Sequence, residues 1–222
     1  NVARSMRGLL SVSLNKPIHD ESVREEIPEE EIRKAYDNLS HNKNIHFYDH
    51  KGSSDSQNLM SRIRYLVRCF KCRWIILDHI SILISGMQDG DERRLIDNTM
   101  TKLRNLVEEL NFGLISVCHL RRPVNSNRGH EEGLMTSMSQ LRGSAGIGQL
   151  SDIVIGCERN QQSEDHPNLM TVRVLKNRFT GDCGIATYLQ YNSETTRLIE
   201  EGYDFNNDRQ TTNRGNRTRN DF

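Results

Sequence analysis

Four apolar residues, Trp74, Ile75, Ile76 and Leu77, run without a break into Asp78, and this stretch limits the possible folds more than any other. A short apolar run with no alternating polar face fits a central strand of a parallel sheet, covered on both sides. Asp78 then stands at the carboxyl end of that strand. Ligands of open α/β sheets gather beyond such ends, so the carboxylate is placed to hold Mg²⁺ on the phosphates of a nucleotide, as in a Walker B strand. An Asp that caps the following turn is the other reading, and the residues from Trp74 to Ser81 leave both open.

The flanking periodicities support an α/β arrangement. Leu59, Ile63, Leu66 and Phe70 form one helical stripe over 57–70, which feeds the Trp74 strand. A loop from Ser85 to Gly90 precedes a second helix carrying Ile96, Met100, Leu103, Val107 and Leu110, and Leu114 to Cys118 forms the next strand. Helices alternating with apolar strands predict parallel neighbours joined by right-handed crossovers, a doubly wound sheet of nucleotide-binding type. Upstream, Val2, Met6, Leu9 and Leu10 predict a short amphipathic helix over 2–12 that begins inside a domain. Pro28 to Leu39 predicts another, with Pro28 in the first turn, Glu29, Glu30 and Glu31 behind it, and Arg33 and Lys34 later. Ile45 to Tyr48 reads as a strand and Gly52 to Ser56 as a loop. Downstream, Ile153 to Cys157, Thr171 to Lys176 and Ile185 to Tyr191 are three strands joined as hairpins by polar turns at Asn160 to Pro167 and Gly181 to Gly184. From about Glu200 the chain is poor in apolar residues and reads as a disordered tail.

The 222 residues suffice for one large α/β domain, and the 30 basic and 30 acidic residues cancel, so any basic surface must be local. A hydrophobic fraction of 35% is low for a compact domain and fits polar tails or wet interfaces, including those of an oligomer. The five cysteines point to a reducing compartment rather than a disulfide framework. Cys69 and Cys72 form a single Cys-x-x-Cys, which without a second pair reads as two thiols rather than a zinc site. No run approaches the roughly 20 apolar residues of a membrane span.

Polar residues cluster where such a sheet would bind phosphates. His119 follows the second strand as Asp78 follows the first, so both can sit on one rim, where a histidine can donate to a terminal phosphate; a core or edge histidine is the alternative. Arg121, Arg122 and Arg128 then share a polar loop with no acid before Glu131, a local phosphate-binding surface or a solvated basic loop. Arg142, Gly143 and Ser144 lie in a small-residue turn that would let backbone amides approach a nucleic-acid backbone. Lys176 and Arg178 share one side of a strand and project beyond its packed part, placed for a neighbour's phosphate or merely as a surface pair. Arg159 and Tyr191 could offer a guanidinium plane and a ring to a base.

Several segments together resemble the helicase domain of phage primase-helicases and Twinkle-type mitochondrial helicases. They are Leu77-Asp78-His79-Ile80-Ser81, Val117-Cys118-His119-Leu120, His130-Glu131-Glu132-Gly133, Leu141-Arg142-Gly143-Ser144, Gln149-Leu150-Ser151-Asp152, Glu158-Arg159-Asn160-Gln161-Gln162 and Lys176-Asn177-Arg178-Phe179-Thr180-Gly181-Asp182. The resemblance covers most of 57–200. It implies a RecA-like P-loop NTPase core, a mostly parallel sheet flanked by helices with C-terminal β-hairpins, assembled as a hexameric ring around single-stranded DNA. On this basis 1–56 is the N-terminal part of the helicase core, 57–199 its RecA-like body and 200–222 the tail. The resemblance makes Asp78 the Mg²⁺ ligand, His119 the γ-phosphate sensor with Gln149 in the same switch, and Arg178 with Lys176 the cations acting in trans. It places Arg159 and Tyr191 around the nucleobase, and Arg121, Arg122 and Arg128 in the central DNA-binding loop. The implied cofactors are Mg²⁺ and ATP or another NTP or dNTP, with 5′–3′ translocation and unwinding at the fork.

Two departures matter. No Gly-x-x-x-x-Gly-Lys-Ser/Thr occurs in the chain, so the resemblance puts that loop and the catalytic glutamate upstream of Asn1, and these 222 residues alone are expected to be nearly inactive. The tail ends Asp221-Phe222, as in relatives that dock a polymerase, but Arg209, Arg214, Arg217 and Arg219 make it mixed rather than acidic. A primase domain and a replicative polymerase are the further partners implied, and no membrane. The compartment would be the host cytoplasm for a phage protein, or the mitochondrial or plastid matrix for a eukaryotic one. A RecA-like recombinase or a non-catalytic single-stranded DNA-binding module is the competing reading, and a redox module on Cys69 and Cys72 a distant third.

Overall fold

The computed structural model describes residues 2–41, 44–48, 56–80, 89–121, 129–141 and 145–200. Three helices open the chain: α1 (Val2–Leu14), α2 (Glu21–Glu25) and α3 (Glu29–Ser40). Helix α1 confirms the expected amphipathic segment. The main-chain N–H of Ser22 donates to the Asp20 carboxylate at the start of α2, a short helix that the apolar periodicity does not reveal. Pro28 occupies the N-cap of α3 rather than its first turn, and the acids Glu29, Glu30 and Glu31 follow it. Arg33 and Lys34 fall short of the last turn, where His41 Nδ1 donates to the Asp37 carbonyl. Leu10, Ile18, Ile27 and Ala35 close into a small core of their own.

The main core is built by α4 (Ser56–Cys69), β1 (Trp74–Leu77), α5 (Asp89–Leu110), β2 (Gly113–Ser116) and α6 (Ala145–Leu150). Ile63, Ile80, Ile96, Leu103 and Leu106 are its most enclosed aliphatic residues, and each full burial is worth about 1.5–3 kcal/mol. Strands β1 and β2 pair in parallel, Trp74 opposite Gly113 through Leu77 opposite Ser116. Trp74 lies across its partner: a Cβ on Gly113 would fall 2.2 Å from the indole, so the close approach requires glycine there.

Several expectations are corrected. Strand β1 is covered on one face only, with Trp74 and Ile76 65% and 70% exposed, because α4 and α5 pack on the Ile75 side and no described residue covers the other. Ile45 to Tyr48 forms no strand, having no described ladder partner, and Ile45, Phe47 and Tyr48 are exposed. Helix α4 ends at Cys69, so Phe70 leaves the buried stripe and its ring meets those of His46 and Tyr65. Helix α5 begins at Asp89, inside the expected loop, and β2 ends at Ser116. Of the loop expected at Gly52 to Ser56, Ser56 begins α4 and the rest lies outside the described residues, as does the tail beyond Glu200.

A four-stranded antiparallel sheet completes the chain, in the order β3 (Ile153–Arg159), β4 (Leu169–Asn177), β5 (Gly184–Asn192), β6 (Arg197–Glu200). The three expected strands are present. The fourth, β6, continues the meander into the stretch that reads as the start of a tail. Parallel pairing among the described residues is confined to β1 and β2, and the hairpins form a separate sheet. Arg197 ties β6 back to α1, donating to the Val12 carbonyl and to Asn15.

Candidate functional site

The carboxyl ends of β1 and β2 meet at one rim. Val117 donates to the Leu77 carbonyl and Ile80 donates to the Val117 carbonyl, so the chain leaves the ladder only at Asp78 and His79. Asp78 is exposed there, and the His79 ring packs edge to face on His119, with centroids 4.4 Å apart. His79 Nδ1 is buried with no hydrogen-bond partner among the described residues. The structure thus brings the expected His119 to the rim that carries Asp78, and adds His79, which sequence reasoning passes over as the neighbour of a more prominent carboxylate.

Asp78 is a single carboxylate, and the described residues hold no cluster of three or more metal-ligating side chains. That donor set fits Mg²⁺, which takes most of its ligands from phosphates and water and needs only one or two carboxylates.

The base of the arginine loop is tightly defined. Leu120 bridges Leu141, Arg121 N–H donates to the Gln140 carbonyl, and His130 Nε2 lies 3.0 Å from the Arg121 carbonyl. A carbonyl only accepts, so Nε2 carries the proton, and the buried Nδ1 has no partner among the described residues. Arg122, Arg128, Arg142, Gly143 and Ser144 lie outside the described residues. Arg121 and Gln149 line one cavity of about 570 Å³ with Arg93, Asp97 and Ser139. Asp78 and His119 do not line it, so Gln149 lies beside the start of the basic loop rather than in a shared pocket with the rim.

Arg159 and Tyr191 are together, the guanidinium carbon 5.6 Å from the ring centroid. A base held between them needs roughly 7 Å, two van der Waals layers, so the pair must part to admit one. Arg159 is anchored by the Pro167 carbonyl at 2.8 Å and Asn168 Oδ1 at 2.7 Å. The adjoining Glu158 is buried and accepts from Thr136 N–H, Thr136 Oγ1 and Arg173 Nε at 2.7–2.8 Å. Gly156 makes this possible, since a Cβ there would fall 2.1 Å from the Thr136 hydroxyl. Burial pushes the Glu158 carboxyl up, but the Arg173 and Thr136 hydrogen bonds outweigh it and hold it below the usual range.

Lys176 and Arg178 have different surroundings. Lys176 Nζ donates to the carbonyls of Gly148, Gln149 and Ser151 at 2.7, 3.1 and 2.8 Å, spending its three protons on the end of α6 rather than projecting outward. Arg178 does project, with its side chain 59% exposed. Its main-chain N–H donates to the Asp152 carbonyl at 2.8 Å, and its Nη1 reaches Asp152 Oδ1 at 3.3 Å. Arg104 of α5 holds the other oxygen, Oδ2, at 2.6 Å. The Arg104 hydrogen bond is the main reason the Asp152 carboxyl lies below its usual range, against burial and with a lesser part from Arg178. Sequence reasoning misses Arg104 and Asp152 because nothing in their local sequence shows that α5 and the turn after α6 converge.

Comparison with known proteins agrees with this arrangement. The model of the DnaB-like helicase C terminal domain matches residues 4–200. The DNA helicase/primase of Enterobacteria phage T3 is 44% identical over 168 residues, which are 76% of this chain and 29% of that protein. The chain therefore spans well under half of that relative's length. Among solved structures, an isolated ATPase domain superimposes with a TM-score of 0.70 at 18% identity, covering 90% of this chain and 71% of that one. A DnaB-like replicative helicase, solved for its interactions with primase, gives 0.69 at 20% identity, covering 88% and 47%. These likenesses show the RecA-like fold, and the family match over 4–200 shows that the chain belongs to the DnaB-like helicase C-terminal domain family.

Proposed function

We propose that this chain is the motor part of a replicative DNA helicase, which hydrolyses ATP or another NTP with Mg²⁺ and couples hydrolysis to 5′–3′ translocation on single-stranded DNA as a hexameric ring. The observation that carries the reading is the rim where β1 and β2 end together, with Asp78 exposed and His119 supported by His79. When bound, Mg²⁺ on the phosphates supplies charge neutralisation at the transferring group. Asp78 holds that charge at the sheet edge. His119 donates to the terminal phosphate and reports its loss to the adjoining chain, which runs directly into Arg121 and the basic loop. Arg122 and Arg128 of that loop, with Arg142, Gly143 and Ser144, complete the DNA surface. Gln149 lies between the loop and Lys176, which fixes the end of its helix. Arg178, exposed on the far edge, serves a neighbouring subunit's nucleotide, while Arg159 and Tyr191 part to hold a base.

The phage relative supports a host-cytoplasmic replication protein, and the solved helicase–primase structure supports a primase partner. The test is DNA-stimulated NTP hydrolysis and forked-duplex unwinding by the full-length protein, with His119→Ala and Arg178→Ala. Loss of both activities in both variants is expected. Unchanged hydrolysis overturns the motor reading, and strand exchange without unwinding would make the protein a recombinase instead.

A further inference from the structure

Arg178 is a proposed catalytic cation that the fold leaves exposed, yet it has a partner within its own chain. Its backbone is fixed to Asp152 by a 2.8 Å hydrogen bond, while its guanidinium touches the Asp152 carboxylate at only 3.3 Å. The same carboxylate makes a shorter contact, 2.6 Å, with Arg104, whose side chain is less than half as exposed as that of Arg178. Arg104 is itself oriented by Glu108, 2.8 Å from its Nε. Two arginines therefore share one carboxylate unequally.

The geometry points to Asp152 as a parking site for the Arg178 guanidinium, with Arg104 setting how firmly it is held. Arg104 takes the stronger hydrogen bond and most of the negative charge, which leaves Arg178 a weak, solvent-exposed contact that a phosphate can outcompete. The main-chain bond from Arg178 to Asp152 keeps the swing short, because the base of the side chain does not move when the tip is released. Asp152 and Arg104 are thus positioning residues that act through Arg178, and the inference rests on the reading of Arg178 as a cation acting in trans. A purely structural Arg104–Asp152 link would make removal of either partner equally harmful. A shared parking site makes the two removals opposite in sign.

The test uses the full-length protein and steady-state NTP hydrolysis with and without single-stranded DNA. Arg104→Met leaves the whole carboxylate charge on Arg178, and kcat is expected to fall about fivefold with KM unchanged. Adding Asp152→Asn removes the trap and should bring kcat back to within twofold of wild type. Asp152→Asn alone is expected to raise the DNA-free rate at least threefold, and it decides the question if Arg104→Met fails to fold. Failure of Asp152→Asn to rescue, or a fall in rate when it stands alone, overturns the parking site. An unchanged rate in Arg178→Ala overturns instead the reading of Arg178 on which it rests.

Discussion

The ring of His79 stands edge-on to that of His119, 4.4 Å between centroids, and joins the ends of the two parallel strands. His119 is exposed, so this contact defines which way its ring can face. Removing His79 should therefore damage hydrolysis without touching substrate. His119→Ala is expected to lower kcat about 100-fold, the scale for removal of one transition-state donor. His79→Ala should lower it about tenfold, and the double variant should be no worse than His119→Ala, since contacting residues that act as a unit do not add. Steady-state kinetics on the full-length protein decides, and a wild-type kcat in His79→Ala would reduce the contact to packing.

The basic loop and its latch can be separated by salt. Replacing Arg121, Arg122 and Arg128 with Ala should weaken single-stranded DNA binding for all sequences alike and flatten the salt slope, by about 0.7 for each phosphate no longer neutralised. His130→Ala removes only the hydrogen bond to the Arg121 carbonyl at the loop base. Its affinity should fall several-fold while the slope stays that of wild type. Fluorescence anisotropy across a salt series measures both, and an unchanged slope in the triple variant would remove the loop from the DNA surface.

How legible each part of the fold is depends on how local its signal is. The stripe Leu59, Ile63, Leu66 and the run Ile75 to Asp78 carry their own periodicity, and α4, β1 and α5 are legible from it. The short helices α2 and α6 are not, because five or six residues cannot display a full stripe, and α6 reads instead as a glycine-rich turn. Trp74 and Ile76 are expected inside because an apolar run resembles a strand buried twice; the run alone does not show which faces are covered. Lys176 reads from strand parity as an outward cation. Its parity is that of Val172 and Val174, but its partners are carbonyls brought near by the α6 turn, a tertiary fact.

Those carbonyls make Lys176 a stability residue as well. Lys176→Met leaves the carbonyls of Gly148 and Ser151 without their donor, and charged hydrogen bonds contribute about 1.5–3 kcal/mol. A loss of about 2 kcal/mol is expected, a fall in Tm of about 6 °C for a domain of this size. The measurement is thermal unfolding of the 222-residue chain, where no nucleotide or DNA takes part. An unchanged Tm would return Lys176 to the role of a solvent-facing cation.

Glu158 gives a prediction with a definite sign in pH. Its folded carboxyl titrates below the unfolded value of about 4.3, so its contribution is complete above that pH and disappears as the pH falls through the folded value. Glu158→Gln keeps an acceptor for Thr136 but loses the charge facing Arg173, and should cost roughly 1–3 kcal/mol at neutral pH. The stability difference between wild type and variant should be flat from about pH 6 to 8 and shrink below about pH 4. Arg173→Leu is the harsher change, about 3 kcal/mol, because it leaves a buried carboxylate whose burial is no longer offset. In that variant the sign reverses: burial now dominates, the Glu158 carboxyl rises above its usual range, and stability should improve on acidification from neutral pH. Denaturant unfolding at a series of pH values tests this, and a parallel pH dependence in wild type and Arg173→Leu would show that Arg173 does not govern the titration of Glu158.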